Sequence, residues 1–297
     1  MHARLIAYPP DQAAITSRLE AGGSLRIGRA GDNRLRIDHP SISRAHAELL
    51  AIDGGWTLRD LGSKNGTFVE GDRVAARRLE RPCWLRFGDV YCEFLLIDDA
   101  EAQSGDADTR MRRLAATAHT ARLDGLQRLD DLLHASLRGV LELAQCDRGF
   151  VLLRDGEGFA VRASLGLDPA RMVAREFSGS VGAVRRALEQ RRSVVANDIG
   201  REPWLASRAS VVAAGLSALA CLPLLDGERA LGVVYADRVH PGPAITALDL
   251  ELLEAFAERA ALWIAARHAS ELLAGHAHAG DLQEWSSIVA AHAEAAP

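Results

Sequence analysis

The chain has 297 residues, 48% hydrophobic and 25% charged, with a formal net charge of −5. That composition belongs to a folded protein of about two domains, and it excludes both a disordered chain and one held to nucleic acid or membrane mainly by overall charge. Of 35 basic residues only Lys64 is a lysine. It lies in Ser63-Lys64-Asn65-Gly66, which is no phosphate-binding ATPase loop, and catalysis by any other lysine is excluded.

Residues 1–98 read as β. Leu25-Arg26-Ile27, Leu35-Arg36-Ile37, Trp56-Thr57-Leu58, Leu85-Arg86-Phe87 and Cys92 to Leu96 alternate with period two. Turn clusters such as Gly31-Asp32-Asn33, Asp53-Gly54-Gly55 and Asn65-Gly66 separate them, and strands this short and closely spaced predict a sandwich or barrel. Residues 99–112, small, polar and acidic, are expected to be a linker, with Thr109 open to phosphorylation. Leu123, Leu126, Leu129, Leu133, Leu137, Val140 and Leu141 then recur at helical spacing.

From Gly149 strands and helices mix. Phe150 to Leu153 and Phe159 to Val161 flank a turn at Asp155-Gly156-Glu157-Gly158 and predict a hairpin. A short helix over 181–190, a strand at Val194-Val195, and two strands joined at Asp226-Gly227-Glu228-Arg229 follow. Leu248, Leu252, Leu253, Phe256, Ala260, Trp263 and Ile264 form the stripe of a long helix, so residues 113–269 are expected to be one α+β domain. Residues 270–297 are Ala-rich, a marginal helix around Leu282, Trp285 and Val289 or a frayed tail. The cysteines (Cys83, Cys92, Cys146, Cys221) show no zinc spacing and are expected to be reduced thiols in a cytoplasmic protein. No signal peptide, membrane span or catalytic motif is found, and the tail pair His276 and His278 is expected to be solvated, so neither an enzyme nor a metal or cofactor protein is expected.

Three patches combine turn residues with groups suited to an anion: Ile27-Gly28-Arg29, Ser41-Ile42-Ser43-Arg44-Ala45-His46 and Asp60-Leu61-Gly62-Ser63-Lys64-Asn65-Gly66-Thr67, within which Gly28-Arg29, Ser43 to His46 and Asn65-Gly66-Thr67 carry the pattern. In this order, within a β domain, they resemble the forkhead-associated (FHA) domain. The resemblance implies a β-sandwich whose loops at one end bind phosphothreonine peptides. It places Arg29 and Ser43 on the phosphate, Arg44 and Lys64 at neighbouring loop positions, and Asn65 on the peptide main chain. Gly28, His46 and Gly66 would be structural, with His46 pinning the serine loop.

The second domain carries Cys221-Leu222-Pro223-Leu224 followed by Gly232-Val233-Val234-Tyr235, which resembles a GAF domain. That implies an antiparallel sheet with helices on one side and a pocket on the other. Without a lysine in the domain a cyclic nucleotide is not expected, nor is a bilin on Cys221 or Cys146. The leucine-rich helices around 123–141 and 248–264 would support a homodimer. The expected fold class is therefore multi-domain, an all-β FHA-type sandwich followed by an α+β GAF-type domain. The expected function is a phosphothreonine-dependent signalling adaptor whose partner is a phosphorylated protein, a Ser/Thr kinase or its substrate, with no effector domain of its own. The alternative is a small-molecule sensor in which the GAF pocket controls a partner and the FHA domain only docks.

Overall fold

Alternation of apolar and polar residues builds two sheets in the first part of the chain. The computed structural model describes residues 2–10, 12–167, 181–197, 217–273 and 286–287. It divides into two units, Met1–Arg110 and Met111–Pro297. In the first, β1 (His2–Tyr8), β2 (Ile15–Leu19), β7 (Thr67–Val69), β8 (Asp72–Val74), β10 (Cys83–Phe87) and β11 (Val90–Ile97) form a six-stranded sheet ordered β2-β1-β11-β10-β7-β8. A five-stranded sheet, ordered β4-β3-β5-β6-β9, holds β3 (Ser24–Gly28), β4 (Leu35–Arg36), β5 (Ala47–Ile52), β6 (Gly55–Asp60) and β9 (Ala76–Leu79). Every pairing is antiparallel except β3 with β4.

Inward residues of both sheets make one core. Ala3, Leu5 and Ala7 of β1 and Leu85, Phe87, Cys92 and Phe94 of β10 and β11 meet Leu25, Ile27, Leu49, Trp56 and Leu58 of the other sheet. This core holds the ends of the strands in place, and the loops they carry follow. The run read as a strand over 35–37 is shorter, Leu35–Arg36, and pairs in parallel with β3.

The acidic segment expected as a linker is helical: α1 runs Asp99–Leu123. Asp98 and Glu101 close a reciprocal cap at its start, Glu101 N–H donating to Asp98 Oδ1 (2.7 Å) and Asp98 N–H to Glu101 Oε2 (3.3 Å). Thr109 lies inside this helix, its hydroxyl donating to the Gly105 carbonyl.

The second unit is built on a five-stranded antiparallel sheet ordered β13-β12-β16-β15-β14, from β12 (Arg148–Asp155), β13 (Gly158–Leu165), β14 (Val194–Asn197), β15 (Ala218–Asp226) and β16 (Arg229–Arg238). Helices α2 (Leu129–Ala144) and α4 (Ala247–Leu273) pack on each other and on this sheet, with Leu137 of α2 against Gly149. Helix α3 (Val181–Gln190) sits on the other face, where Ala183, Val184 and Ala187 join Phe150, Leu152, Leu219, Cys221, Val233 and Tyr235 in a core. The resemblance put helices on one face only, and α3 adds one to the second. Gly232 of the Gly-Val-x-Tyr run is required by close approach, since a Cβ there would stand 1.9 Å from the Leu152 carbonyl oxygen. Leu129, Leu132, Leu133, Leu137 and Leu141 of α2 are buried in their own unit. The predicted stripe at Leu282, Trp285 and Val289 lies outside the described residues, as do His276 and His278.

Candidate phosphopeptide site

Four connections at one end of the first unit are tied together by hydrogen bonds that the motif residues supply. Strand β3 ends at Gly28, where a Cβ would lie 2.2 Å from the Arg44 carbonyl oxygen, so only glycine lets the two loops touch. Beyond it the Arg29 N–H donates to the Ser43 carbonyl (2.9 Å) and the Ala30 N–H to the Arg44 carbonyl (3.2 Å). The Arg29 side chain is exposed, with Nε donating to the Ile42 carbonyl at 3.4 Å.

His46 is fully buried and works through both ring nitrogens. Nδ1 accepts the Ser43 N–H (3.1 Å), which leaves Nε2 as the donor to the Gly66 carbonyl (3.1 Å). That arrangement requires a neutral ring. Burial pushes the His46 pKa below the usual histidine value, against the smaller upward pulls of the Gly66 carbonyl and Asp60. The ring stands edge-on to Phe87, centroids 5.7 Å apart.

The Ser63–Gly66 turn is held from below and joined to the serine loop. Asp60 at the end of β6 accepts four hydrogen bonds, from the N–H groups of Gly62 and Ser63 and the hydroxyls of Ser63 and Thr67, at 2.6–3.0 Å. Burial by itself raises its pKa, but the Ser63 and Thr67 hydroxyls and the two backbone donors outweigh this and hold it below the usual carboxylate value. The Lys64 N–H donates to Ser43 Oγ (3.0 Å) and Asn65 Nδ2 to the Ser41 carbonyl (2.8 Å). Because Ser43 Oγ accepts from Lys64, its own hydrogen is left to donate to an acceptor other than that amide. Gly66 has φ +83°, in the left-handed region that glycine adopts without strain.

The geometry thus brings the loops of Arg29, Ser43, Arg44, Lys64 and Asn65 together, with Arg29, Arg44, Lys64 and Asn65 exposed and Ser43 half-buried. Lys64 joins the network through its backbone, not its ammonium group. Three supporting residues lie in patches or turns marked in the sequence but had no role assigned there: Ser41, whose Oγ accepts the Asp89 N–H, Asn33, whose amide donates to Ala30 and Arg44 carbonyls, and Asp60. An Asp with Gly and Ser two and three positions later is the pattern of a side-chain-closed turn and signals the third. Arg73 of β8 was missed as well, and its guanidinium lies against Gly66.

The second unit uses charge differently. Asp237 is fully buried at the end of β16, paired with Arg148 and accepting the Tyr235 hydroxyl at 2.7 Å. Burial pushes its pKa up while Arg148 and Tyr235 pull it down. Tyr235 stacks on Phe150, centroids 4.9 Å apart. Cys221 and Cys146 are buried thiols, and burial raises both pKa values, that of Cys146 to about 12, which disfavours the thiolate needed for attachment chemistry. Among the described residues no cluster of metal-ligating side chains occurs, and no helix is long and apolar enough to cross a membrane.

Residues 25–90 match the FHA domain family and residues 128–264 the GAF domain family. Among curated proteins, the chain is 35% identical over 116 residues to the ABC transporter ATP-binding/permease protein Rv1747 of Mycobacterium tuberculosis, covering 39% of this chain and 13% of that one. It is 26% identical over 129 residues to the nitrogen fixation protein AnfA of Azotobacter vinelandii, covering 42% of this chain and 24% of that one. The chain therefore spans no more than a quarter of the length of these relatives. Among solved structures, an FHA domain studied for phosphothreonine-dependent interactions is 28% identical over 33% of this chain and 99% of its own, with a TM-score of 0.30. The structure of M. tuberculosis EmbR with a low-affinity phosphopeptide is 28% identical over 32% of this chain and 24% of its own, with a TM-score of 0.28. The chain carries an FHA domain, a β-sandwich, followed by an α+β GAF domain.

Proposed function

We propose that the chain is a phosphothreonine-dependent signalling adaptor whose FHA domain captures a phosphorylated partner, a Ser/Thr kinase or one of its substrates, in the cytoplasm. The observation that carries this reading is the loop cluster itself. Ser43 keeps a hydroxyl hydrogen to donate, while Arg29, Arg44 and Lys64 make no ion pair among the described residues. Asp60, the carboxylate beneath the turn, is fully occupied by its four donors. A phosphothreonine brings about −1.5 to −2 charges and three acceptor oxygens. Arg29 and Ser43 hold the phosphate, Arg44 and Lys64 add field, and Asn65 grips the peptide main chain with the groups not committed to Ser41. Both families are non-catalytic, which supports binding and not turnover as the output.

A short peptide covers a small area, so capture is modest in affinity and reversible. The test is a phosphothreonine-peptide library screened with the full chain and with Arg29→Ala. Wild type is expected to retain a subset of phosphorylated peptides and none of the unphosphorylated counterparts, and the variant to lose them while keeping its urea midpoint. Undiminished retention by Arg29→Ala would overturn the assignment.

The GAF domain is assigned the assembly of a homodimer. What supports this reading is that Met111, Leu114 and Leu262, on α1 and α4 within the second unit, expose 64%, 57% and 61% of their surface. A monomeric mass at micromolar concentration would remove this part of the reading.

A further inference from the structure

We infer that Arg73 is a specificity residue of the FHA domain, selecting phosphopeptides that carry an acidic side chain beside the phosphothreonine. This rests on the phosphopeptide reading above and extends it to the sequence of the ligand. Arg73 lies on the edge strand β8, its backbone opposite Phe68 of β7. Its side chain crosses to the neighbouring turn. A Cβ built on Gly66 would lie 2.8 Å from Arg73 Nε, 3.2 Å from Cζ and 3.3 Å from Nη2, so the guanidinium rests on the open face of that glycine. Any other residue at 66 would push it away. The absence of a side chain at Gly66 therefore serves the turn, through its φ of +83°, and also seats a cation next to Asn65.

The seated cation is unneutralised. Three arginines of the same unit are ion-paired, Arg18 with Glu20, Arg36 with Asp38 and Arg78 with Glu80, whereas Arg73, like Arg29 and Arg44, has no ion pair among the described residues, and Arg73 has no hydrogen bond there either. Asp72 precedes it but lies opposite Val69, in the other alternation of the strand. Asn65 is the residue proposed to hold the peptide backbone, so a peptide gripped there passes beside a planar donor suited to a carboxylate. Arg86 of β10, on the opposite flank of β7, stacks 3.6 Å over the Phe68 ring.

The test uses the full chain and one phosphothreonine peptide otherwise neutral, with a single Asp scanned through each position on both sides. Wild type is expected to bind one Asp-bearing peptide about three- to fivefold more tightly than the neutral peptide, the scale of an exposed ion pair, with the gain shrinking at high salt. Arg73→Gln should lose this preference while binding the neutral peptide as wild type does, and Arg73→Glu should turn it into a preference for Lys at the same position. Arg78→Gln, an equal loss of charge from a paired arginine of the same domain, should keep the preference. An Asp preference that persists in Arg73→Gln, none in wild type, or equal loss in Arg78→Gln overturns the role of Arg73 and leaves the phosphopeptide reading standing. Failure of wild type to distinguish phosphorylated from unphosphorylated peptide overturns both.

Discussion

The two domains place their charged residues in opposite ways. In the FHA domain the cations Arg29, Arg44, Lys64 and Arg73 are exposed on loops and an edge strand, unpaired among the described residues, while neutral groups (His46, Asn33, Ser41) and Asp60 build the frame beneath them. The GAF domain has charges inside it: Asp237 is held by Arg148 and Tyr235, and Arg238, also buried, donates to the Gln145 carbonyl and Ser217 Oγ. A buried charge with its partners committed is part of the fold, whereas an exposed charge on a fixed loop is available to a ligand. Removing charge from the first domain should therefore cost binding, and removing it from the second should cost stability.

The largest expected effect tests the GAF side of that contrast. Asp237→Ala leaves the Arg148 guanidinium and the Tyr235 hydroxyl without their acceptor in a buried setting, and is expected to destabilise the second domain by about 3–5 kcal/mol. Urea unfolding followed through the GAF domain reads this directly. A loss below about 1 kcal/mol would mean that Asp237 is not a structural charge and that the two domains are less different than described.

His46 is the residue of the FHA frame most like Asp237, buried and bonded on both sides. His46→Ala is expected to cost about 2–3 kcal/mol, since it strands the Ser43 N–H and the Gly66 carbonyl. It should also weaken peptide capture, because the serine loop and the asparagine turn lose their common tie. Arg29→Ala, by contrast, is expected to change stability by less than about 0.5 kcal/mol while abolishing capture. If the two variants lost stability equally, the separation of frame from ligand-facing cations would fail.

A smaller effect follows from the protonation of His46. Its folded pKa is depressed and its unfolded pKa is about 6.5. The unfolded chain therefore takes up a proton at a higher pH than the folded one does. The contribution of the neutral ring is complete above about pH 6.5 and is lost as pH falls through the folded value. The wild-type urea midpoint should thus fall more steeply on acidification than that of a His46→Asn variant, which has no proton to gain there. Parallel pH profiles would show that the ring is not held neutral by the fold.

What was legible in the sequence follows from which signals are local. Gly28-Arg29, Ser43 to His46 and Asn65-Gly66 lie within short windows, and the structure brings their loops together. The hairpin at 155–158 and the pairing of β15 with β16 were equally readable from turn residues between apolar runs. Strand β5 was not, because Ala47-Glu48-Leu49-Leu50-Ala51-Ile52 has the composition of a helix, and only its place between β3 and β6 makes it a strand. Strand β1 was hidden for a different reason, its inward positions including Ala3 and Ala7, which carry little apolar signal. Helix α1 was read as a linker from its small acidic residues, although Asp98 with Glu101 three positions later is a helix-start pattern. Arg73 was out of reach of any local reading. It touches Gly66 only because β7 and β8 pair, and nothing within the strand Asp72–Val74 marks it.

The smallest expected effect concerns Lys64, the lysine among 34 arginines. Its sequence position beside Asn65 pointed to the ligand, but in the structure it is the backbone N–H of this residue that fixes Ser43 Oγ, at 3.0 Å, and any residue other than proline supplies that donor. The ammonium group adds field at an exposed position, where an arginine does the same. Lys64→Arg is expected to leave phosphopeptide affinity unchanged, and Lys64→Ala to lower it by no more than about threefold, measured at low salt where an exposed charge counts most. A loss in Lys64→Ala approaching that of Arg29→Ala would move Lys64 from the surrounding field onto the phosphate itself. The exposed cations of the FHA domain would then act as one cluster, and the distinction drawn between Arg29 and its neighbours would have to be given up.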